Sequence, residues 1–163
     1  MSLTVRQARK EDIREIVRLY AEATKLMHEL SPAGFGKRLG EPLDLDKEMD
    51  DFTKALDDDK TIILVAQVNA DIAGFVMGVV ENYEDDLLDS PYLTVQYICV
   101  DERFRKQGIG MSLMTEVERW TEKKGITNLD LMVWDTNKPA QSLFRKMGYV
   151  ALDVRMGKKL KDQ

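Results

Sequence analysis

The chain has 163 residues and a mass of 18.7 kDa, with 44% hydrophobic and 33% charged residues. This is the composition of one soluble domain spanning residues 1–163, large enough to bury about 70% of its extended surface. A net charge of −5 and a pI near 5.0 argue against a nucleic-acid partner, which calls for a basic surface, and no apolar run approaches the ~18 residues of a membrane span. One cysteine, Cys99, and one histidine, His28, exclude an internal disulfide, argue against a zinc site, and with a polar start lacking a signal-peptide pattern fit a reducing cytoplasm.

In chain order, residues 3–8 alternate as a short strand. Ile13, Ile16, Val17, Tyr20 and Met27 recur at i, i+3, i+4 and i+7 spacing, which predicts a helix to about residue 29. Residues 31–42 hold three glycines and two prolines and read as a long loop, the kind that often binds ligands. A second, weaker helix covers 43–57 with Leu45, Met49, Phe52 and Leu56 as its stripe. Residues 61–68 and 72–80 are β-rich runs joined through Asn69, Ala70 and Asp71, a hairpin by residue type. Residues 81–91 are the most acidic stretch, with Glu81, Glu84, Asp85, Asp86 and Asp89. It reads either as a solvated loop or as a lip that attracts a cationic substrate.

Residues 92–100 form the next expected strand, followed by a charged turn, then a helix over 108–124 striped by Ile109, Leu113, Val117 and Trp120 and stopped at Gly125. A strand over 128–134 follows, then a helix over 139–147 capped by Asn137, with Pro139 in its first turn. Gly148 ends that helix, and one or two closing strands are expected over 149–160. The order β-α-α-β-β-β-α-β-α-β(-β) is a mixed α/β fold.

The chemistry concentrates in residues 95–110, VQYICVDERFRKQGIG. A strand that runs through a basic, glycine-containing turn into a helix N-terminus is an anion site, because the first-turn N–H groups lack intrahelical partners and carry partial positive charge. A Walker A loop is excluded, since Met111-Ser112 stands where Lys-Ser/Thr is needed. A dinucleotide fingerprint lacks its third glycine, Leu113 being there instead.

Arg105-Lys106-Gln107-Gly108-Ile109-Gly110 matches the pattern [Q/R]-x-x-G-x-[G/A]. About thirty residues on stands Asn137-x-x-Ala140-x-x-Leu143-Phe144-x-x-x-Gly148-Tyr149, similar to N-x-x-A-x-x-L-Y-x-x-x-G-F, and Ala73-Gly74-Phe75 lies in the third strand. By these blocks and the element order, the chain resembles the GNAT superfamily, the acyl-CoA-dependent N-acetyltransferases. The resemblance implies a mostly antiparallel sheet splayed in the middle and flanked by helices. It implies acetyl-CoA as acyl donor, with the pyrophosphate on the N–H groups of Gln107, Gly108, Ile109 and Gly110, charge from Arg105 and Lys106, and pantetheine pairing along Ile98, Cys99 and Val100. The Cys99 N–H becomes an oxyanion donor, and Asn137 and Phe144 complete the expected cofactor contacts.

Two departures follow. Phe144 stands where the family usually has the tyrosine proposed as general acid, and Val95 and Gln96 stand where many members place a glutamate. Glu81 and Tyr97 are the remaining base candidates; otherwise Glu81 is a loop carboxylate and Tyr97 a packed aromatic. Cys99 reads as a small core residue, a pocket liner, or a nucleophile lacking a nearby base, and Trp120, Trp134 and Tyr149 as core or pocket aromatics. The expected activity is direct acetyl transfer to a primary amine in a ternary complex, the acceptor being a small molecule or peptide. A non-catalytic acyl-CoA sensor module is the alternative reading, and a purely structural partner-binding domain is a third. The resemblance also implies a homodimer, for which the late strands supply an edge.

Overall fold

In chain order, the elements are β1 (Leu3–Gln7), α1 (Ile13–Leu30), α2 (Leu45–Leu56), β2 (Thr61–Val68), β3 (Asp71–Glu81), β4 (Tyr92–Val100), α3 (Ile109–Lys123), β5 (Asn128–Leu131) and α4 (Lys138–Lys146). The computed structural model describes residues 2–32, 42–83 and 90–161. The loop expected over 31–42 and the acidic lip expected over 81–91 therefore fall largely outside the described residues. The strands lie in the order β1-β2-β3-β4-β5. The first three pairings are antiparallel, and β5 joins β4 in parallel.

Side-chain alternation along β2 explains why the sheet is covered on both faces. Ile62, Leu64 and Ala66 point to one side, where they meet Leu113, Met114 and Val117 of α3 and Phe144 of α4. Ile63 and Val65 point to the other, where they meet Ile16 and Leu19 of α1 and Phe52 of α2. A strand buried on both faces reads as a continuous apolar run rather than an alternating one, as β2 does. Phe75 of β3 is fully buried in the second core, a burial that contributes roughly 1.5–3 kcal/mol.

Helix ends follow local chemistry. Asp44 caps α2 by accepting from the Lys47 N–H, and Asn137 caps α4 by accepting from the Ala140 N–H, with Pro139 in the first turn. Two expectations about strands change. The strand expected over 128–134 stops at Leu131, and Met132 beyond it is 89% exposed. No strand forms over 149–160 among the described residues. The alternating pattern there is real, but a strand needs a neighbouring ladder, and none runs beside it among the described residues.

Candidate active site

The site begins where β4 and β5 part. Their parallel register runs Tyr92–Asn128, Leu93–Leu129, Thr94–Asp130, Val95–Leu131 and then ends. β4 stays paired to β3 as far as Val100, so, among the described residues, positions 96–100 present one edge with no strand beside it, about 16 Å of open backbone. A bulge marks the fork. Met77 faces Tyr97 while Gly78 faces Val95, which leaves Gln96 as the extra residue, bending β4 at the point of divergence.

The register decides which backbone groups the open edge offers. The Asp101 N–H donates to the Ala73 carbonyl at 2.9 Å. Gly74 lies opposite Val100 and Phe75 opposite Cys99. By the alternation of an antiparallel ladder, Cys99 turns its N–H and C=O toward β3, whereas Ile98 and Val100 turn theirs to the open side. The Cys99 N–H, expected as an oxyanion donor, thus points toward β3 rather than to the open edge. The outward Val100 carbonyl accepts from Arg105 Nε at 3.3 Å, which ties the basic turn to the strand end. The Cys99 side chain is 7% exposed, and burial pushes its thiol up to about 12 despite a weaker downward pull from Arg105. It stays protonated at neutral pH.

The turn is held by Asp101, whose side chain is almost fully buried. Its carboxylate accepts from the Arg103 N–H at 2.9 Å, from Arg103 Nε and Nη2 at 3.1 and 2.9 Å, and from Arg18 Nη2 of α1 at 2.8 Å. These two guanidinium groups, Arg103 first, hold its carboxyl well below the usual carboxylate range. Beyond it, Lys106 and Gly108 have positive φ of 60° and 79°, which curl the chain so that α3 begins at Ile109. At Gly108 an added Cβ would meet nothing within 4 Å, so space lies over the helix N-terminus where the first-turn N–H groups point. Gly110 has a different cause. A Cβ there would stand 3.2 Å from Leu143 Cδ2, so this glycine serves the packing of α3 on α4. Ile109 is 1% exposed and offers only its backbone, while Arg105, Lys106 and Gln107 are exposed.

Below the fork a clasp closes the sheet. Asp130 of β5 accepts from Thr94 Oγ1 at 2.6 Å and from the Tyr83 hydroxyl at 2.7 Å. The Tyr83 ring stacks on Tyr92 at 3.6 Å, and the Tyr92 hydroxyl donates to Glu81 at 3.2 Å. Burial, then the hydrogen bond to Asp130, raises the Tyr83 hydroxyl. An open cleft of about 550 Å³ lies against Lys60, Glu81, Tyr83 and Tyr92. Asp130 escaped sequence reasoning, although a lone carboxylate in the strand Asn-Leu-Asp-Leu is the kind of half-buried polar group that asks for partners.

The two base candidates are not brought together. Glu81 pairs with Tyr92 and Tyr97 with Met77, about 13 Å apart along the sheet. Tyr97 stands at the fork, 36% exposed, its ring edge-on to Tyr20 at 4.9 Å and tilted against Phe52 at 6.1 Å. Burial, reinforced by Tyr97, pushes the Tyr20 hydroxyl up to about 12. Across the fork, the Thr136 hydroxyl donates to the Leu30 carbonyl and joins the β5–α4 connection to the end of α1. Asn137 spends its Oδ1 on the α4 cap. Phe144 is 5% exposed, its ring in the core edge-on to Tyr149. Trp134 is 37% exposed, whereas Trp120 and Tyr149 pack on the core, with the Tyr149 hydroxyl donating to Glu118 at 2.8 Å.

The family model for the acetyltransferase (GNAT) family matches residues 23–149. The chain belongs to the GNAT acetyltransferase family. An acetyltransferase of Pectobacterium atrosepticum, ECA0875, is 30% identical over 116 residues, covering 71% of this chain and 76% of that protein. Among solved structures, a mutant of the BH1408 protein from Bacillus halodurans superposes with a TM-score of 0.83 at 20% identity, covering 97% of this chain and 99% of that one. AAC(6')-Iy, solved in complex with a bisubstrate analog, CoA-S-monomethyl-acetylneamine, superposes with a TM-score of 0.75 at 19% identity, covering 99% and 100%. These neighbours share the fold of this chain, a five-stranded mixed sheet flanked by helices.

Proposed function

We propose that this GNAT protein is a cytoplasmic N-acetyltransferase, acting as a single domain, that passes the acetyl group of acetyl-CoA directly to a primary amine in a ternary complex. The observation that carries this reading is the open edge of β4 leading straight into the Gly108 turn and the N-terminus of α3. A pantetheine arm has amides that match a vacant strand edge, and a pyrophosphate matches a curled turn with free N–H groups. Ile98 and Val100 would hold the arm; the N–H groups of Gln107, Gly108, Ile109 and Gly110 would hold the pyrophosphate, with Arg105 and Lys106 adding charge. Acetyl-CoA supplies an activated thioester when bound.

The remaining steps belong to this chain's own residues. An acceptor amine must arrive neutral, so a group near the fork, or a water held there, must take its proton. Tyr97 is our candidate for this, supported by its position at the fork beside Tyr20, whose raised hydroxyl keeps its proton and can donate. Glu81 sits farther down the sheet on the cleft, where its carboxylate fits the cationic end of an acceptor better than the reacting nitrogen. Phe144 has no hydroxyl and its ring is inward, so no acid acts from that position; a thiolate leaves tolerably without one. The bisubstrate analog bound to AAC(6')-Iy joins CoA to a neamine, which supports a small polyamine-like acceptor here.

Calorimetric titration with acetyl-CoA, followed by measurement of free thiol release across a panel of amines, tests the reading. Binding with turnover on at least one amine is expected. Absence of binding refutes the cofactor site; tight binding without turnover on any amine favours an acyl-CoA sensor module.

A further inference from the structure

Away from the fork, a second cleft of about 210 Å³ opens between the edge strand β1 and the later half of α3. Its floor is apolar, formed by Val5, Leu64 and Trp120, all packed on the core beneath α3. Its rim is charged, with Glu116, Arg119 and Lys123 brought to one side of α3 by their i, i+3 and i+7 spacing. Trp120 lies about 16 Å along α3 from Ile109. The cleft is therefore separate from the Gly108 turn at the other end of the helix.

The charges around the cleft are unequally committed. Arg6 of β1 is held by Asp12, its Nη1 and Nη2 donating to the carboxylate at 2.7 and 3.0 Å. Arg119 Nη1 donates to Glu116. Lys124 lies outside the lining, with its Nζ over the Trp120 ring at 5.1 Å. With these pairs cancelled, Lys123 remains, exposed and in no ion pair among the described residues. One uncompensated positive charge therefore stands over an apolar floor, in a chain whose net charge is −5. Such a floor beside a single free cation is complementary to an apolar body with one negative charge. The indole favours a flat ring as that body, because aromatic rings gain from stacked or edge contact beyond the area they bury. An apolar cavity of about 150 Å³ takes up one benzene ring, so about 210 Å³ suits two fused rings.

We propose that the cleft between β1 and α3 is a binding site for a small aromatic monocarboxylate. The rings lie against Val5, Leu64 and Trp120, and the carboxylate accepts from Lys123 Nζ. The site is independent of the acetyl-transfer reading, since none of its residues belongs to the fork or the basic turn.

Naphthoate titrated into the isotope-labelled full-length protein, followed by nuclear magnetic resonance, tests this. Two indole N–H signals are expected, from Trp120 and Trp134, and Trp134→Phe identifies which is which. The Trp120 signal should move saturably with a Kd of about 1 mM or tighter, while the Trp134 signal stands still. Lys123→Glu should weaken naphthoate about fivefold or more, and the uncharged naphthamide should bind the wild type about threefold more weakly or worse. Because Lys123 is exposed, its variant should keep the wild-type circular dichroism spectrum. Absence of saturation overturns the proposal, as does movement of the Trp134 signal alone. A naphthoate affinity indifferent to Lys123→Glu, or equal to that of naphthamide, overturns it as well.

Discussion

Asp101 joins the sheet to the basic turn before α3, so Asp101→Asn isolates what that carboxylate contributes. The substitution keeps the side-chain shape and one oxygen for the Arg103 N–H, but removes the charge that meets Arg18 Nη2 at 2.8 Å and Arg103 Nη2 at 2.9 Å. Breaking a buried ion pair by removing one partner costs about 3–5 kcal/mol. Here the Arg18 and Arg103 side chains are 35% and 62% exposed and can rehydrate, which lowers the expectation to about 2 kcal/mol. For a chain of this size that corresponds to a fall in Tm of about 4–8 °C. The pH dependence has a definite sign. The folded-state pKa of Asp101 is depressed, so its stabilisation is fully present above the ordinary aspartate value of about 3.9 and is lost as pH falls from there toward the folded value. Urea unfolding of both proteins across neutral to acidic pH measures this. The gap between wild type and variant should be widest at neutral pH and close on acidification. A variant within about 0.5 kcal/mol of wild type at neutral pH, or a gap that widens in acid, would refute the assignment of Asp101 as the anchor of the turn.

Gly108→Val forces a β-branched residue into a left-handed φ and sets a side chain over the helix N-terminus; a calorimetric titration should show acetyl-CoA affinity reduced about tenfold or more, at a stability cost of about 1–2 kcal/mol. Cys99→Ala should keep steady-state turnover within about threefold, because a buried, protonated thiol is not the nucleophile; a hundredfold loss would reinstate an acyl-enzyme. Gly74→Ala places a Cβ 2.7 Å from the Cys99 carbonyl and should destabilise by about 1–3 kcal/mol in urea unfolding. Tyr97→Phe should lower kcat more than it raises the KM for acetyl-CoA and should alter the pH–rate profile, whereas Glu81→Gln should act mainly on the KM of the amine.

Much of this protein was legible in its residues taken in order. β2 and β4 fall where β-branched runs place them, and the hairpin turns at Asn69, whose φ of 55° suits asparagine. The basic turn was visible because glycine at position 108 and three cations beside it are local chemistry. What local pattern cannot carry is the pairing between distant segments. That β5 leaves β4 after Leu131, that Cys99 faces inward while Ile98 and Val100 face out, and that Gly110 answers to Leu143 are all set by register and packing across the sheet. Asp130 gained its role only when folding brought Thr94 and Tyr83 to it. The alternation over 150–156 specified a strand, and the described residues supply no ladder to complete it. Sequence by itself determined the periodicities, the caps and the conformations that single residues allow, since these depend on a few bonds. Only the tertiary structure decided which backbone groups stay free, because a hydrogen bond is available to a ligand only when no neighbouring strand has taken it.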